Sequence, residues 1–155
     1  MKSVLFICHG NICRSPMAEF IMKDMARKAG VVLRVGSAAV TYEEEGNDIY
    51  PPAKRTLGAH GIPFGRHYAH RVTDAEASEY DVIVIMDTSN KRLLSLILSP
   101  MNMSKVHMMM EYAGVASDVS DPWYTGDFEK TYRDITEGCK ALLASLMNDK
   151  SGNNL

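Results

Sequence analysis

The stretch Val4-Leu5-Phe6-Ile7-Cys8-His9-Gly10-Asn11-Ile12-Cys13-Arg14-Ser15-Pro16 decides the fold. Its first five residues form an uninterrupted apolar run, the pattern of a strand buried on both faces. Gly10 and Asn11 are turn-formers, and Ser15-Pro16 then opens a segment running from Met17 to Ala29. Ser at the cap, Pro in the first turn, Arg27 and Lys28 in the last turn and Gly30 just after it punctuate a helix. Residues 31–39 read as a second strand, so the first forty residues have the length of one strand–helix–strand unit.

Working outward, residues 51–60 read as a short helix ended by Gly61, and residues 82–86 as a buried strand ended by Asp87. Thr88 or Ser89 is expected to cap a helix over residues 90–98, which Pro100 stops. Residues 106–110 are the fourth strand candidate, since Met fills irregular core space. Residues 128–148 carry Tyr132, Ile135, Cys139, Leu142, Leu143 and Leu146 near helical spacing. Alternating strands and helices predict an α/β fold: a single Rossmann-like three-layer domain over residues 1–148 with a four-stranded parallel sheet. Residues 149–155 are a polar tail expected to fray. Ligands of such sheets bind beyond the carboxyl ends of the strands. Cys8, Ala39, Asp87 and the stretch after Met110 all fall at that edge.

Composition narrows the function. The 155 residues are 46% hydrophobic and 23% charged, an ordinary globular balance for one domain. Seventeen basic against nineteen acidic residues leave a net charge of -2, without the basic excess of most nucleic-acid binders. Three cysteines, at 8, 13 and 139, cannot close a disulfide framework, so the chain is expected to be reduced and cytoplasmic. The apolar run at residues 4–8 is too short for a leader or a membrane span. No second Cys pair or His cluster completes a zinc site with Cys8, His9 and Cys13, so no metal is expected.

The loop itself carries the chemistry. A helix N-terminus offers unpaired N–H groups and about half a positive charge, which bind phosphate-like anions and stabilise a thiolate. Arg14 can meet two phosphate oxygens with its planar fork. A cation in the first turn opposes the helix dipole, and a bound anion supplies the reason for it. Gly10 permits close backbone approach, Asn11 tolerates positive φ, and Ser15 can donate to the Cys8 sulfur when it becomes a leaving group. Together the parts describe a nucleophilic thiolate beneath a bound tetrahedral oxyanion.

This loop, C-x5-R-S-P with Gly-Asn at the second and third positions after the Cys, resembles the signature of the low-molecular-weight protein tyrosine phosphatases. Ser37-Ala38-Ala39, His60-Gly61-Ile62-Pro63, Met86-Asp87 and Asp121-Pro122-Trp123-Tyr124 follow in matching order, so the resemblance spans nearly the whole chain. It implies hydrolysis of phosphotyrosine and small aryl phosphates through a cysteinyl-phosphate, with inorganic phosphate as product and no cofactor or metal. Cys8 resembles the nucleophile, Arg14 the clamp on the transferred phosphoryl group, and Asp121 the general acid and then base. His9, Gly10, Asn11, Ile12, Cys13 and Ser15 resemble the phosphate cradle. Trp123 and Tyr124 resemble the aromatic wall that receives the substrate ring, with Tyr42 helping from the opposite side. Ser37 and His67 resemble the supporting network, and Asp87 the carboxylate that orients the His.

The family's His-x-Ala-Arg is replaced here by His67-Tyr68-Ala69-His70-Arg71, which changes one contact between loops. Relatives that act on phosphoarginine carry Thr where this chain has Ile12, so Ile12 resembles the tyrosine-directed branch. Cys13 is expected to serve as a resolving thiol for an oxidised Cys8. Two other functions compete. An arsenate reductase on the same scaffold needs further cysteines near the strand carrying Asp87, where residues 80–100 have none. A non-catalytic phosphate- or phosphopeptide-binding module finds no support while Cys8, Arg14 and Asp121 are all present. The expected partners are a phosphotyrosine protein or small phosphoester, not nucleic acid or membrane, and the expected state is a monomer.

Overall fold

The computed structural model describes residues 2–148, so the polar tail at 149–155 lies outside the described residues. Strands β1 (Lys2–Cys8), β2 (Leu33–Ala39), β3 (Val82–Ile85) and β4 (Val106–Met108) form one sheet in the order β2-β1-β3-β4. Every pairing is parallel, with Cys8 opposite Ala39 and Ile7 opposite Ile85. Helix α1 (Arg14–Ala29) returns from β1 to β2, and Gly30 closes it in the left-handed conformation, φ 68°, where a Cβ would be strained. The later helices are α2 (Pro51–Ala59), α3 (Asp74–Ala77), α4 (Thr88–Leu94), α5 (Pro100–Met103), α6 (Met109–Tyr112), α7 (Pro122–Thr125) and α8 (Phe128–Asn148).

The two-residue period of the strands splits the core into layers. Val4, Phe6, Val84 and Met86 point to one face, against Met17, Ile21, Leu57, Ile135 and Leu142 of α1, α2 and α8. Leu5, Ile7, Ile83 and Ile85 point to the other, against Ala77, Leu94 and Leu98. These central side chains are fully buried, which accounts for the uninterrupted apolar runs. Helix α8 lies close on α6 because Gly138 has no side chain. A Cβ there would run into the Met109 sulfur and come within 3.0 Å of the Met109 carbonyl.

Several expected boundaries shift for identifiable reasons. Ser15 is no cap: α1 begins at Arg14, and the Ser15 hydroxyl is drawn to Cys8 and Asn11. Asp87, not Thr88 or Ser89, caps α4. Its Oδ1 accepts from Asn90 N at 2.7 Å, while Asn90 Oδ1 accepts from Asp87 N, a reciprocal box. Pro100 starts α5 instead of only stopping α4, with Ser99 as its cap. β4 stops at Met108 because Glu111 Oε1 accepts the Met108 N–H and folds residues 109–112 into α6. β2 starts two residues later than expected, at Leu33.

Candidate active site

At the carboxyl edge of the sheet, the loop after β1 wraps around a cavity of about 120 Å³. The carbonyls of residues 8, 9, 11, 12 and 13 are held by donors elsewhere in the protein. Cys8 O accepts from Val40 N, His9 O from Thr41 Oγ1, Ile12 O from Tyr50 N and Cys13 O from Met17 N. Asn11 O accepts from His67 Nε2 at 2.7 Å. Among the described residues, the N–H groups of residues 9–14 have no acceptor. With those carbonyls engaged, the loop presents donors at the mouth of a 16-residue helix. That is an anion cradle by construction. Asn11 makes the wrap possible at φ 62°, the one described non-glycine residue with positive φ.

A directed chain of hydrogen bonds ends on the Cys8 sulfur. Ser37 Oγ donates to Glu19 Oε1 at 2.6 Å, so Asn11 Nδ2 donates to Ser37 Oγ at 3.0 Å and to Ser15 Oγ at 2.8 Å. Ser15 Oγ lies 3.0 Å from Cys8 Sγ and 3.4 Å from Ala38 O, so its one proton can turn to either, and Ser15 N donates to the sulfur at 3.4 Å. His67 supports this chain from outside: its Nε2–H donates to Asn11 O, and its own backbone N–H is held by Asp48. Burial holds the His67 imidazole below its ordinary pKa, which keeps it neutral beside that carbonyl. Cys13 lines the same cavity. Burial, with Cys8 and Asp121 adding to it, pushes its thiol well above the ordinary range, so it stays protonated.

Arg14 is 2% exposed. Its Nη1 donates to Asp87 Oδ2 at 2.7 Å and to Val119 O at 2.9 Å, and its Nη2 lies 3.4 Å from Asp121 Oδ2. Burial alone would lower its proton affinity, but Cys8, Asp121 and Asp87 outweigh it, and the guanidinium is held charged. Asp121 opens α7, where its Oδ1 caps Trp123 N at 3.0 Å. The cavity is lined at its base by Cys8, Ile12, Cys13 and Arg14, with Asp121 beside them. At the rim stand His9, Gly10, Glu43, Glu44, Trp123 and Tyr124. Trp123 and Tyr124 are 52% and 83% exposed.

Two expected placements are corrected. Asp87 does not orient His67; its carboxylate is divided between Arg14 and the α4 cap, and His67 is served by Asp48 instead. Tyr42 does not line the cavity. Its ring lies under the Arg71 guanidinium, 4.8 Å from it, so Glu43 and Glu44 form that side. The altered inter-loop contact is also resolved: His70 pairs with Glu76 at 2.8 Å, and its backbone N–H donates to Asn11 Oδ1.

Three contributors escaped sequence reasoning. Glu19 lies one helical turn beyond Ser15, on the same face of α1, and that spacing was a usable signal. Tyr50 braces Trp123 at 4.8 Å between ring centroids, and Val119 contributes only its carbonyl; neither left a sequence trace. Among the described residues, no group of three or more His, Cys, Asp or Glu is arranged to hold a metal ion.

A family model described as low molecular weight phosphotyrosine protein phosphatase matches residues 3–152. The low molecular weight protein-tyrosine-phosphatase YfkJ of Bacillus subtilis is 37% identical, covering 97% of this chain and 99% of that relative. Its crystal structure superposes with a TM-score of 0.92 over 97% of both chains. The human low molecular weight phosphotyrosine protein phosphatase is 34% identical over 92% of this chain and 94% of its own length. A Streptococcus pyogenes low molecular weight protein tyrosine phosphatase structure has a TM-score of 0.87 and 36% identity, covering 97% of each chain.

Proposed function

The chain belongs to the low molecular weight phosphotyrosine protein phosphatase family, and from that membership we propose how its own residues hydrolyse phosphotyrosine. The observation that carries the assignment is the loop itself: its amides surround a sulfur that accepts from Ser15 N and lies 3.0 Å from the Ser15 hydroxyl.

The phosphoryl oxygens sit on the N–H groups of residues 9–14 and on the Arg14 guanidinium, where transition-state charge accumulates. Cys8 Sγ attacks phosphorus in line. As the S–P bond forms, the P–O bond to the ring breaks, and Asp121 delivers its proton to the departing phenolate. The product of this half-reaction is a cysteinyl-phosphate and a phenol. Asp121, now a carboxylate, takes a proton from water as the water oxygen attacks phosphorus. The S–P bond breaks, inorganic phosphate leaves, and the Ser15 hydroxyl receives the returning thiolate. Ile12 and Trp123 flank the ring and exclude water from the sulfur. Every proton and phosphoryl transfer is assigned to a side chain, with no cofactor or metal in the scheme.

The arsenate-reductase reading lacks a thiol relay: Cys139, the third cysteine, is fully buried in α8. The non-catalytic reading leaves the Asp121 carboxylate beside the cavity without a purpose. The proposal includes residues 1–148 acting as one domain, in the cytoplasm and as a monomer, without nucleic-acid or membrane partners. Among the described residues, no helix is long and apolar enough to cross a membrane.

Hydrolysis of p-nitrophenyl phosphate and of a phosphotyrosine peptide, with EDTA present, tests the scheme. Cys8→Ser is expected to remove turnover, and Asp121→Asn to lower kcat by about 10²- to 10³-fold. Turnover surviving in the Cys8 variant would overturn it.

A further inference from the structure

The rim of the cavity carries two carboxylates that the hydrolytic scheme does not use. The carboxylates of Glu43 and Glu44 and the exposed rings of Trp123 and Tyr124 share its mouth. We propose that Glu43 and Glu44 make the enzyme selective for phosphotyrosine segments carrying arginine or lysine next to the phosphorylated residue, against segments that are acidic there. This rests on the phosphotyrosine reading above.

The carboxylates would make no site by themselves. They matter because the phosphate loop fixes the depth of the ester, and with it where the neighbouring side chains of a peptide must run. Both glutamates are held at the rim. Glu43 Oε2 is 2.9 Å from His9 Nε2, on the residue directly after the nucleophile. The Glu44 stem packs over Gly10, so closely that a Cβ there would come within 3.2 Å of its Cγ. Its Oε1 accepts from Asn47 Nδ2 at 2.9 Å. The absent side chain at Gly10 is what lets this carboxylate lean over the loop.

At the same mouth, Trp123 is braced by Tyr50, while Tyr124 is almost fully open. Two exposed aromatic rings at one lip are unusual unless something covers them. A guanidinium or ammonium at this mouth meets carboxylates and ring faces, and both attract a cation. A flanking carboxylate meets repulsion from the glutamates, and the cationic side chains nearby are already engaged, His9 by Glu43 itself. Arg14 is buried and committed to Asp87, Val119 and the phosphoryl group. Arg71 is stacked on Tyr42, with its Nη1 donating to the phenol oxygen.

The test uses two phosphotyrosine peptides of the same length, one with Arg and one with Glu on both sides of the phosphorylated residue. The readout is the ratio of their kcat/KM values within each protein, so a variant's overall loss cancels. The unaltered enzyme is expected to favour the Arg peptide by about five- to tenfold at about 20 mM salt, and by roughly twofold at 300 mM. Glu43→Gln with Glu44→Gln should bring the ratio near one, and Glu43→Lys with Glu44→Lys should invert it. Equal rates on the two peptides, a preference for the Glu peptide, or an Arg preference that survives in both double variants would each overturn the selector while leaving phosphotyrosine hydrolysis intact. Hydrolysis of p-nitrophenyl phosphate with neither peptide cleaved would overturn the phosphotyrosine reading and the selector with it.

Discussion

Asp87 holds Arg14: a carboxylate at the end of β3 sits 2.7 Å from a guanidinium at the start of α1, and only 2% of that guanidinium's residue is exposed. The same carboxylate caps α4 through its other oxygen. One side chain therefore sets both the aim of the phosphate clamp and the start of a helix.

These two duties separate by substitution. Asn is as good a helix cap as Asp but carries no charge. Asp87→Asn is expected to keep its Tm within a few degrees while kcat/KM for p-nitrophenyl phosphate falls about 10- to 100-fold, the usual consequence of a displaced positioning group. Asp87→Ala should lose the same activity and a further ~1 kcal/mol of stability with the cap. Equal kinetics for the Asn variant and the unaltered enzyme would show that Arg14 holds its place without the ion pair.

Asn11 combines a backbone demand with a side-chain one. Asn11→Gly keeps the left-handed backbone and removes the hydrogen bonds to Ser15 and Ser37; Asn11→Ala removes both. Both are expected to turn over slowly, and thermal melting should place the Ala variant below the Gly variant by about 1–2 kcal/mol. The reverse order would mean that the loop relaxes out of its observed conformation.

His70 carries a pH dependence. The Glu76 carboxylate raises the His70 pKa above its ordinary value, with burial opposing. The pair's stabilisation is therefore fully present below about pH 6.5 and disappears as pH rises through the higher folded value. The side chain is 38% exposed, so solvent screening limits the effect to about 1 kcal/mol or less. The Tm advantage over His70→Gln should be largest near pH 6 and gone by about pH 9. An advantage that grows with pH would contradict the pairing.

Cys13 predicts the response to peroxide. Peroxide oxidises the Cys8 thiol to a sulfenic acid with loss of water; the Cys13 thiol then condenses with it, releasing water and forming a disulfide, which a dithiol reduces. After a peroxide pulse, the unaltered enzyme is expected to regain most of its activity with dithiothreitol. Cys13→Ser should regain several-fold less, because its Cys8 continues to sulfinic acid. Equal recovery would remove Cys13 from this role.

The parts of the fold and site that were legible in the sequence are those whose cause is local. Continuous apolar runs revealed β1 and β3, and helical spacing revealed α8 to within its observed bounds. The loop after β1 showed its chemistry because Cys8, Arg14 and Ser15 all act within one turn. What stayed hidden depends on which distant group arrives. Asp87 was placed correctly at a strand end, but the sequence could not say whether Arg14 or His67 would claim it. Tyr42 was one position from the wall, and stacking with Arg71 decided which neighbour faced the cavity. Boundaries at Asp87, Pro100 and Met108 moved because single side chains competed for backbone groups.

The contact from Arg14 to the Val119 carbonyl links residues 105 positions apart. Its consequence is temporal. The nucleophile belongs to the first strand, the carboxylate behind the arginine to the third, and the acid to a turn that comes after the fourth. The catalytic geometry is therefore complete only when the last long-range closure has been made. In refolding from denaturant, hydrolysis should recover no earlier than the slowest optical signal, so turnover marks the moment at which the chain has finished folding.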